Sequence, residues 1–180
     1  MSNANKYISQ KWSGTPTIGI VLGSGLGDFV NQIEISASVE FKDIPGFLAP
    51  TVEGHGGKLI LGKLHGKDVV AMQGRVHFYE GHSLTDVVFP IRVLCSLGIE
   101  TLILTNSAGG MLEGMKPADL MVIEDHINMT GHNPLIGPND ENLGPRFPDM
   151  TETYDRGLVE KLISHMKNLN ITPHRGVYCW

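Results

Sequence analysis

At 180 residues, 41% of them hydrophobic and 18% charged, the chain is long enough to bury a sizeable core without disulfide staples. Its net charge of -5, from 14 basic and 19 acidic residues with no long block of either sign, argues against nucleic acid or an anionic membrane as a partner. Cys95 and Cys179 form no C-x-x-C pattern, the 8 histidines show no metal-ligand spacing, and the start Met1-Ser2-Asn3-Ala4-Asn5-Lys6 is polar, so the sequence predicts a cytoplasmic protein with reduced thiols, no metal and no membrane segment.

Residues 17–22 are continuously apolar and rich in β-branched side chains, which predicts a strand buried on both faces. The run enters Gly23-Ser24-Gly25-Leu26-Gly27, where glycine lets backbone N–H groups approach a ligand and the Ser24 hydroxyl adds a donor suited to phosphate. The spacing is neither the dinucleotide fingerprint nor a Walker A loop, and by itself it reads first as a structural turn after a strand. Residues 39–41 predict a brief strand. The loop 44–57, punctuated by proline and glycine, contains His55 between Glu53-Gly54 and Gly56-Gly57, a placement that suits a flap over a site or simple solvation.

Residues 58–64 and 68–73 read as two strands joined through the hairpin signal His65-Gly66-Lys67. The second delivers Gly74-Arg75-Val76-His77-Phe78-Tyr79-Glu80-Gly81-His82. If the extended backbone continues, Arg75 and His77 project to one face, where a guanidinium fork and an imidazole can both donate to an anion. A solvated turn in which Arg75 pairs with Glu80 fits this stretch equally. Ser83, with Asp86 three residues on, predicts a helix N-cap. Val87, Val88, Ile91, Leu94 and Cys95 then predict a core stripe, and Gly98 a stop; Pro90 predicts a kink unless the helix begins later.

Residues 101–105 predict a second buried strand, which breaks into Asn106-Ser107-Ala108-Gly109-Gly110. Two strands with like endings in an alternating β/α pattern predict a mostly parallel sheet whose ligand lies beyond the carboxyl ends of the strands. Residues 120–124 predict a strand, and 129–150 a loop long enough to be functional or interfacial. Residues 154–170 predict an amphipathic helix with Leu158, Leu162, Met166 and Leu169 in the core, and 176–180 the start of another strand.

Four stretches, taken in order, carry a resemblance. Gly23-Ser24-Gly25-Leu26-Gly27, Gly74-Arg75-Val76-His77-Phe78-Tyr79-Glu80-Gly81, Thr105-Asn106-Ser107-Ala108-Gly109-Gly110 and Asn133-Pro134-Leu135-Ile136-Gly137-Pro138-Asn139-Asp140 resemble motifs of the trimeric purine nucleoside phosphorylases. The resemblance implies an α/β fold, a mixed and largely parallel central sheet flanked by helices, in one nucleoside phosphorylase domain over residues 1–180. It also implies reversible phosphorolysis of purine ribonucleosides and deoxyribonucleosides to free base and pentose 1-phosphate. Inorganic phosphate would be a co-substrate, with no metal or organic cofactor, and full-length relatives would be homotrimers. By position, Ser24, Arg75, His77 and the backbone N–H of Ser107 would hold phosphate, with His55 on a loop near it. Tyr79 would contact the ribose, and Glu80 would orient His77.

Within that resemblance, a phosphate held beneath C1′ both stabilises oxocarbenium charge on the sugar and stands ready to attack, so no general base is required. Leu143 stands where relatives commonly place an aromatic residue that reaches a neighbouring subunit. The family's later motifs, which contact the base, are not among these residues. The expectation is therefore a phosphate and ribose half-site, a sheet short of its last strands, and little or no turnover by the isolated chain. The alternatives are a catalytically incomplete fragment that binds phosphate or a partner subunit, and a relative of the methylthioadenosine phosphorylases. A dinucleotide-dependent oxidoreductase fits the glycine spacing poorly.

Overall fold

In the computed structural model, which describes residues 1–51 and 56–180, the first apolar run forms the strand around which the others assemble. This strand, β1 (Ile18–Leu22), is buried except at Ile18. It pairs in parallel with β4 (Lys67–Gln73) on one side and β5 (Thr101–Leu104) on the other. β4 returns antiparallel to β3 (Lys58–Leu64), and β3 pairs antiparallel with β2 (Glu34–Glu40), giving a five-stranded mixed sheet in the order β2-β3-β4-β1-β5. The predicted hairpin turn is His65-Gly66, with φ of 48° and 78°. Left-handed backbone at both positions matches the twist of a two-residue hairpin.

Side chains alternate across this sheet and fill a layer on each face. One layer gathers Val21, Val39, Leu59, Leu61, Val70 and Met72 beneath α1 (Ser2–Lys11) and α2 (Leu84–Ser96). The opposite layer gathers Ile20, Leu22, Ile60, Val69 and Ala71 with Val30 and Ile33 from the segment after β1. Leu59, Leu61, Val69 and Val70 are fully buried, each worth about 1.5–3 kcal/mol in apolar transfer.

Several elements differ from the sequence expectation. The polar start is the helix α1, which buries Ala4 and Ile8 one turn apart, and Asn5 Nδ2 donates to Ser96 Oγ of α2 at 2.8 Å. β2 begins at Glu34 rather than near residue 39, and Phe41 belongs to a 3-10 turn rather than the strand. Its apolar positions Ile35, Ala37 and Val39 do alternate, but β2 lies at the sheet edge, and Ile35 is exposed. The segment after β1 is a 3-10 helix, Gly27–Gln32. α2 starts at Leu84, with Ser83 Oγ accepting from Asp86 N, and continues through Pro90 to Ser96. The proline removes only the donor to the Asp86 carbonyl, one bond in thirteen residues, and its ring is buried. Val93 and Leu94 are the fully buried apolar residues of this helix, Phe89 and the predicted Ile91 pack partly buried against the same core, and Cys95 is exposed. β5 is not buried on both faces: it is the edge strand of its sheet, and Ile103 and Leu104 are 46% and 52% exposed.

Residues Met1–Ala108 and Gly109–Trp180 form two compact units. In the second, β6 (Met121–Ile127) and β7 (His174–Cys179) pair in parallel as a two-stranded sheet. α3 (Arg156–Asn168) packs there, its N-cap Asp155 accepting from Leu158 N at 2.8 Å. The buried residues of α3 are Ile163 and Met166, which meet Val122, with the partly buried Val159 packed against them. The expected stripe is thus corrected: only its Met166 is buried, and Leu158, Leu162 and Leu169 are 45%, 50% and 70% exposed. The helix carries apolar residues on two adjacent lines, and spacing alone does not tell which of them meets the sheet. Among the described residues, no helix is long and apolar enough to cross a membrane.

Candidate phosphate site

Because β4, β1 and β5 are parallel neighbours, the segments leaving their carboxyl ends emerge side by side. The turn after β1 is held against the end of β5 by Thr105. Its hydroxyl donates to Val21 O at 2.9 Å and accepts from Gly23 N at 2.8 Å. Gly23 sits so close that a Cβ there would lie 2.6 Å from Thr105 O and 2.9 Å from Asn106 Cα. Any larger residue must push two backbones apart. Gly25 has a left-handed φ of 84°, and Ser107 Oγ donates to Ser24 O at 3.4 Å, so Ser24 and Ser107 meet at the mouth of the sheet.

The segment after β4 turns at Gly74, with φ of 92°, and brings its cation to the same place: Arg75 Nη1 donates to Thr105 O at 2.7 Å. Val76 is buried while Arg75 and His77 on either side of it are only partly so, which is the period-two alternation expected of extended backbone. His77 itself is extended, at φ −126° and ψ 155°, and leads into the one-turn 3-10 helix Phe78–Glu80. Ser24, Arg75, His77 and Ser107 therefore all lie on segments leaving three adjacent strand ends.

Glu80 does not pair with Arg75 as the alternative reading had it. Its Oε1 accepts from His77 N at 2.6 Å and lies 2.8 Å from His77 Nδ1. Its Oε2 accepts from Thr51 N at 2.8 Å and Thr51 Oγ1 at 2.6 Å. Burial pushes the Glu80 carboxyl upward, the largest single influence, but the bonds from Thr51 and His77 together outweigh it and hold the group at about 2. Glu80 is thus an ionised carboxylate, which can only accept, so His77 Nδ1 carries the proton between them. The nitrogen not engaged by Glu80 is Nε2. Tyr79 stacks on the His77 ring, with centroids 4.7 Å apart and planes 13° apart, and is 73% exposed.

His55 lies outside the described residues. Leu143 belongs to the second unit, in a loop where it is 43% exposed. Among the described residues there is no cluster of metal-ligating side chains. Three contributors escaped the sequence reading. Thr105 carried a visible signal, a hydroxyl ending an apolar strand just before a small-residue turn. Thr51 carried none, because its contact with Glu80 spans 29 residues of sequence. His82 was seen only as part of a motif; its Nε2 is buried 4.0 Å from Glu80 Oε2 with no hydrogen-bond partner among the described residues.

A glycine turn, a guanidinium and a carboxylate-held imidazole gathered at parallel strand ends define an α/β protein with a candidate anion site in the position open sheets use for ligands. More particularly, the chain belongs to the phosphorylase superfamily, whose family model matches residues 17–180. It is 49% identical over 178 residues to purine nucleoside phosphorylase 1 of Bacillus subtilis, covering 99% of this chain and 66% of that protein. It is 48% identical to the purine nucleoside phosphorylase 1 of Geobacillus stearothermophilus, over 99% of this chain and 65% of the relative. Isoform 2 of purine nucleoside phosphorylase from Schistosoma mansoni, solved in complex with cytosine and ribose-1-phosphate, superposes with a TM-score of 0.91 at 41% identity. That match covers 99% of this chain and 65% of the solved one. The chain thus spans about two thirds of the length of these relatives.

Proposed function

We propose that the chain carries the phosphate- and ribose-binding portion of a purine nucleoside phosphorylase, within one nucleoside phosphorylase domain. In this reading Ser24, Arg75, His77 and the backbone N–H of Ser107 hold inorganic phosphate, His55 lies beside it, Tyr79 contacts the ribose and Glu80 orients His77. The observation that carries the reading is the convergence of Gly23-Ser24, Arg75-His77 and Thr105-Ser107 at the ends of three parallel strands, tied by the Arg75–Thr105 and Ser107–Ser24 bonds. The ribose-1-phosphate bound by the Schistosoma mansoni relative supports it, since that sugar phosphate is what phosphorolysis of a nucleoside yields.

The chemistry follows from the site. Phosphate is already an anionic nucleophile, and fixing it under C1′ converts an encounter into a positioned attack while its charge stabilises the oxocarbenium-like sugar. Arg75 provides the planar fork and His77 Nε2, once the ring is charged, a second charge-assisted donor. The reaction needs phosphate as co-substrate and no organic cofactor. In this reading the protein acts in the cytoplasm, and its full-length relatives are homotrimers.

Inosine phosphorolysis, followed as phosphate-dependent release of hypoxanthine, tests the activity. A second reading, phosphate binding without turnover by these 180 residues, is favoured by the exposure of Ile103 and Leu104 on β5. Phosphate-dependent release of base supports the enzyme, and thermal stabilisation by phosphate without release supports the second reading. Neither turnover nor stabilisation contradicts both.

A further inference from the structure

We infer that Thr51 is a positioning residue of the phosphate site: its hydroxyl holds one oxygen of Glu80 so that the other keeps the His77 imidazole in a single tautomer and orientation. The inference rests on the reading of His77 as a phosphate ligand and concerns a residue that touches neither phosphate nor sugar in that reading.

The Glu80 carboxylate is divided between two duties. Oε1 takes the amide and the ring nitrogen of His77 at 2.6 and 2.8 Å, and Oε2 takes the amide and the hydroxyl of Thr51 at 2.8 and 2.6 Å. The terminal torsion of a glutamate is intrinsically soft and close to two-fold, so nothing in the side chain itself keeps one oxygen facing His77. Bonds on both oxygens supply that constraint. The side chain of Glu80 is 2% exposed, so water does not readily replace a missing donor.

A competitor stands next to it. Among the described residues His82 Nε2 is buried with no hydrogen-bond partner, 4.0 Å from Oε2, the oxygen that Thr51 holds. If the Thr51 hydroxyl is removed, His82 Nε2, when it carries a proton, is a donor close enough to take its place on Oε2, and turning the carboxylate toward it draws Oε1 off His77. The depressed titration of Glu80, in which the Thr51 hydroxyl is the foremost of the favourable influences, agrees with that geometry. Of the two Thr51 bonds, the amide survives any ordinary substitution, and the hydroxyl is the one that side-chain identity controls.

The test uses the whole 180-residue chain with inorganic phosphate as the probe, comparing wild type, T51V, T51S and R75A by calorimetric titration. Long-range 1H–15N correlation reads the His77 tautomer. T51V is expected to weaken phosphate binding about three- to tenfold, the share of one charge-assisted hydrogen bond that reaches the ligand through Glu80 and His77. In the phosphate-free protein the neutral His77 ring is expected to move from the Nδ1–H form to a mixture, the sign that Oε1 no longer holds Nδ1 and no longer steadies the charged ring that donates to phosphate, and T51S to restore both readouts. Unchanged phosphate affinity and tautomer in T51V, or a T51S as defective as T51V, overturns the inference. T51A against T51S makes the same comparison if T51V does not fold, and loss of the fold in both T51V and T51A also overturns it. An R75A that binds phosphate as tightly as wild type overturns instead the underlying assignment of the site.

Discussion

Replacing Gly23 by alanine isolates the closest backbone approach at the strand ends. The added Cβ would stand 2.6 Å from Thr105 O and 2.9 Å from Asn106 Cα, both main-chain atoms that cannot swing aside. Relief requires the turn after β1 to move off the end of β5, which strains the 2.8 Å bond from Gly23 N to Thr105 Oγ1. Overpacking of this kind costs about 1–3 kcal/mol. In a chain of this size that is a fall in melting temperature of roughly 2–12 °C. Phosphate affinity should fall with it, because Ser24 is the next residue and Ser107 donates to its carbonyl. Gly25→Ala separates steric from conformational cost: among the described residues no atom lies within 4 Å of its Cβ position, but its φ of 84° is left-handed, so the expected loss is smaller, about 1 kcal/mol. Thermal unfolding and phosphate titration of both variants give the comparison. A G23A protein with wild-type stability and phosphate affinity would refute the claim that this contact builds the site.

Two further predictions address other parts of the account. The Glu80 carboxyl lies at about 2 in the folded protein against an ordinary 4.5, so its contribution to stability is complete above the unfolded value and is lost as pH falls from 4.5 toward 2. Acid unfolding profiles should show the wild type losing more stability than E80Q over that window; parallel profiles would contradict the assignment. In the core, L94A should cost about 2–5 kcal/mol because Leu94 is fully buried, whereas L162A on α3 should stay within about 0.5 kcal/mol because that side chain is 50% exposed, as urea unfolding of each would show.

The strands nearest the site were legible because their signals are local. Residues 17–22 and the pair around His65-Gly66 combine apolar runs with turn chemistry that few other structures accommodate. Their glycine and small-residue endings pointed to a ligand beyond the sheet, where the structure gathers Ser24, Arg75, His77 and Ser107. Less was legible where the deciding fact is a neighbour. The alternation in β2 is visible in the sequence, but an edge strand buries little of it, and the apolar lines of α3 differ only in which of them the β6–β7 sheet covers. Burial of α1 rests on just Ala4 and Ile8, too few to outweigh a polar start. Within the site, Glu80 was placed by resemblance, yet its partner Thr51 comes from a loop 29 residues away, a pairing that sequence spacing cannot express.

The central claim is that the three strand ends form a phosphate site with Arg75 at its centre. Its most direct measurement is equilibrium binding of inorganic phosphate to the chain and to R75K, which keeps the charge but loses the planar fork. Saturable binding by the wild type, weakened about tenfold or more in R75K, is the predicted result. Equal binding by the two proteins, or no saturable binding by the wild type, would contradict the account.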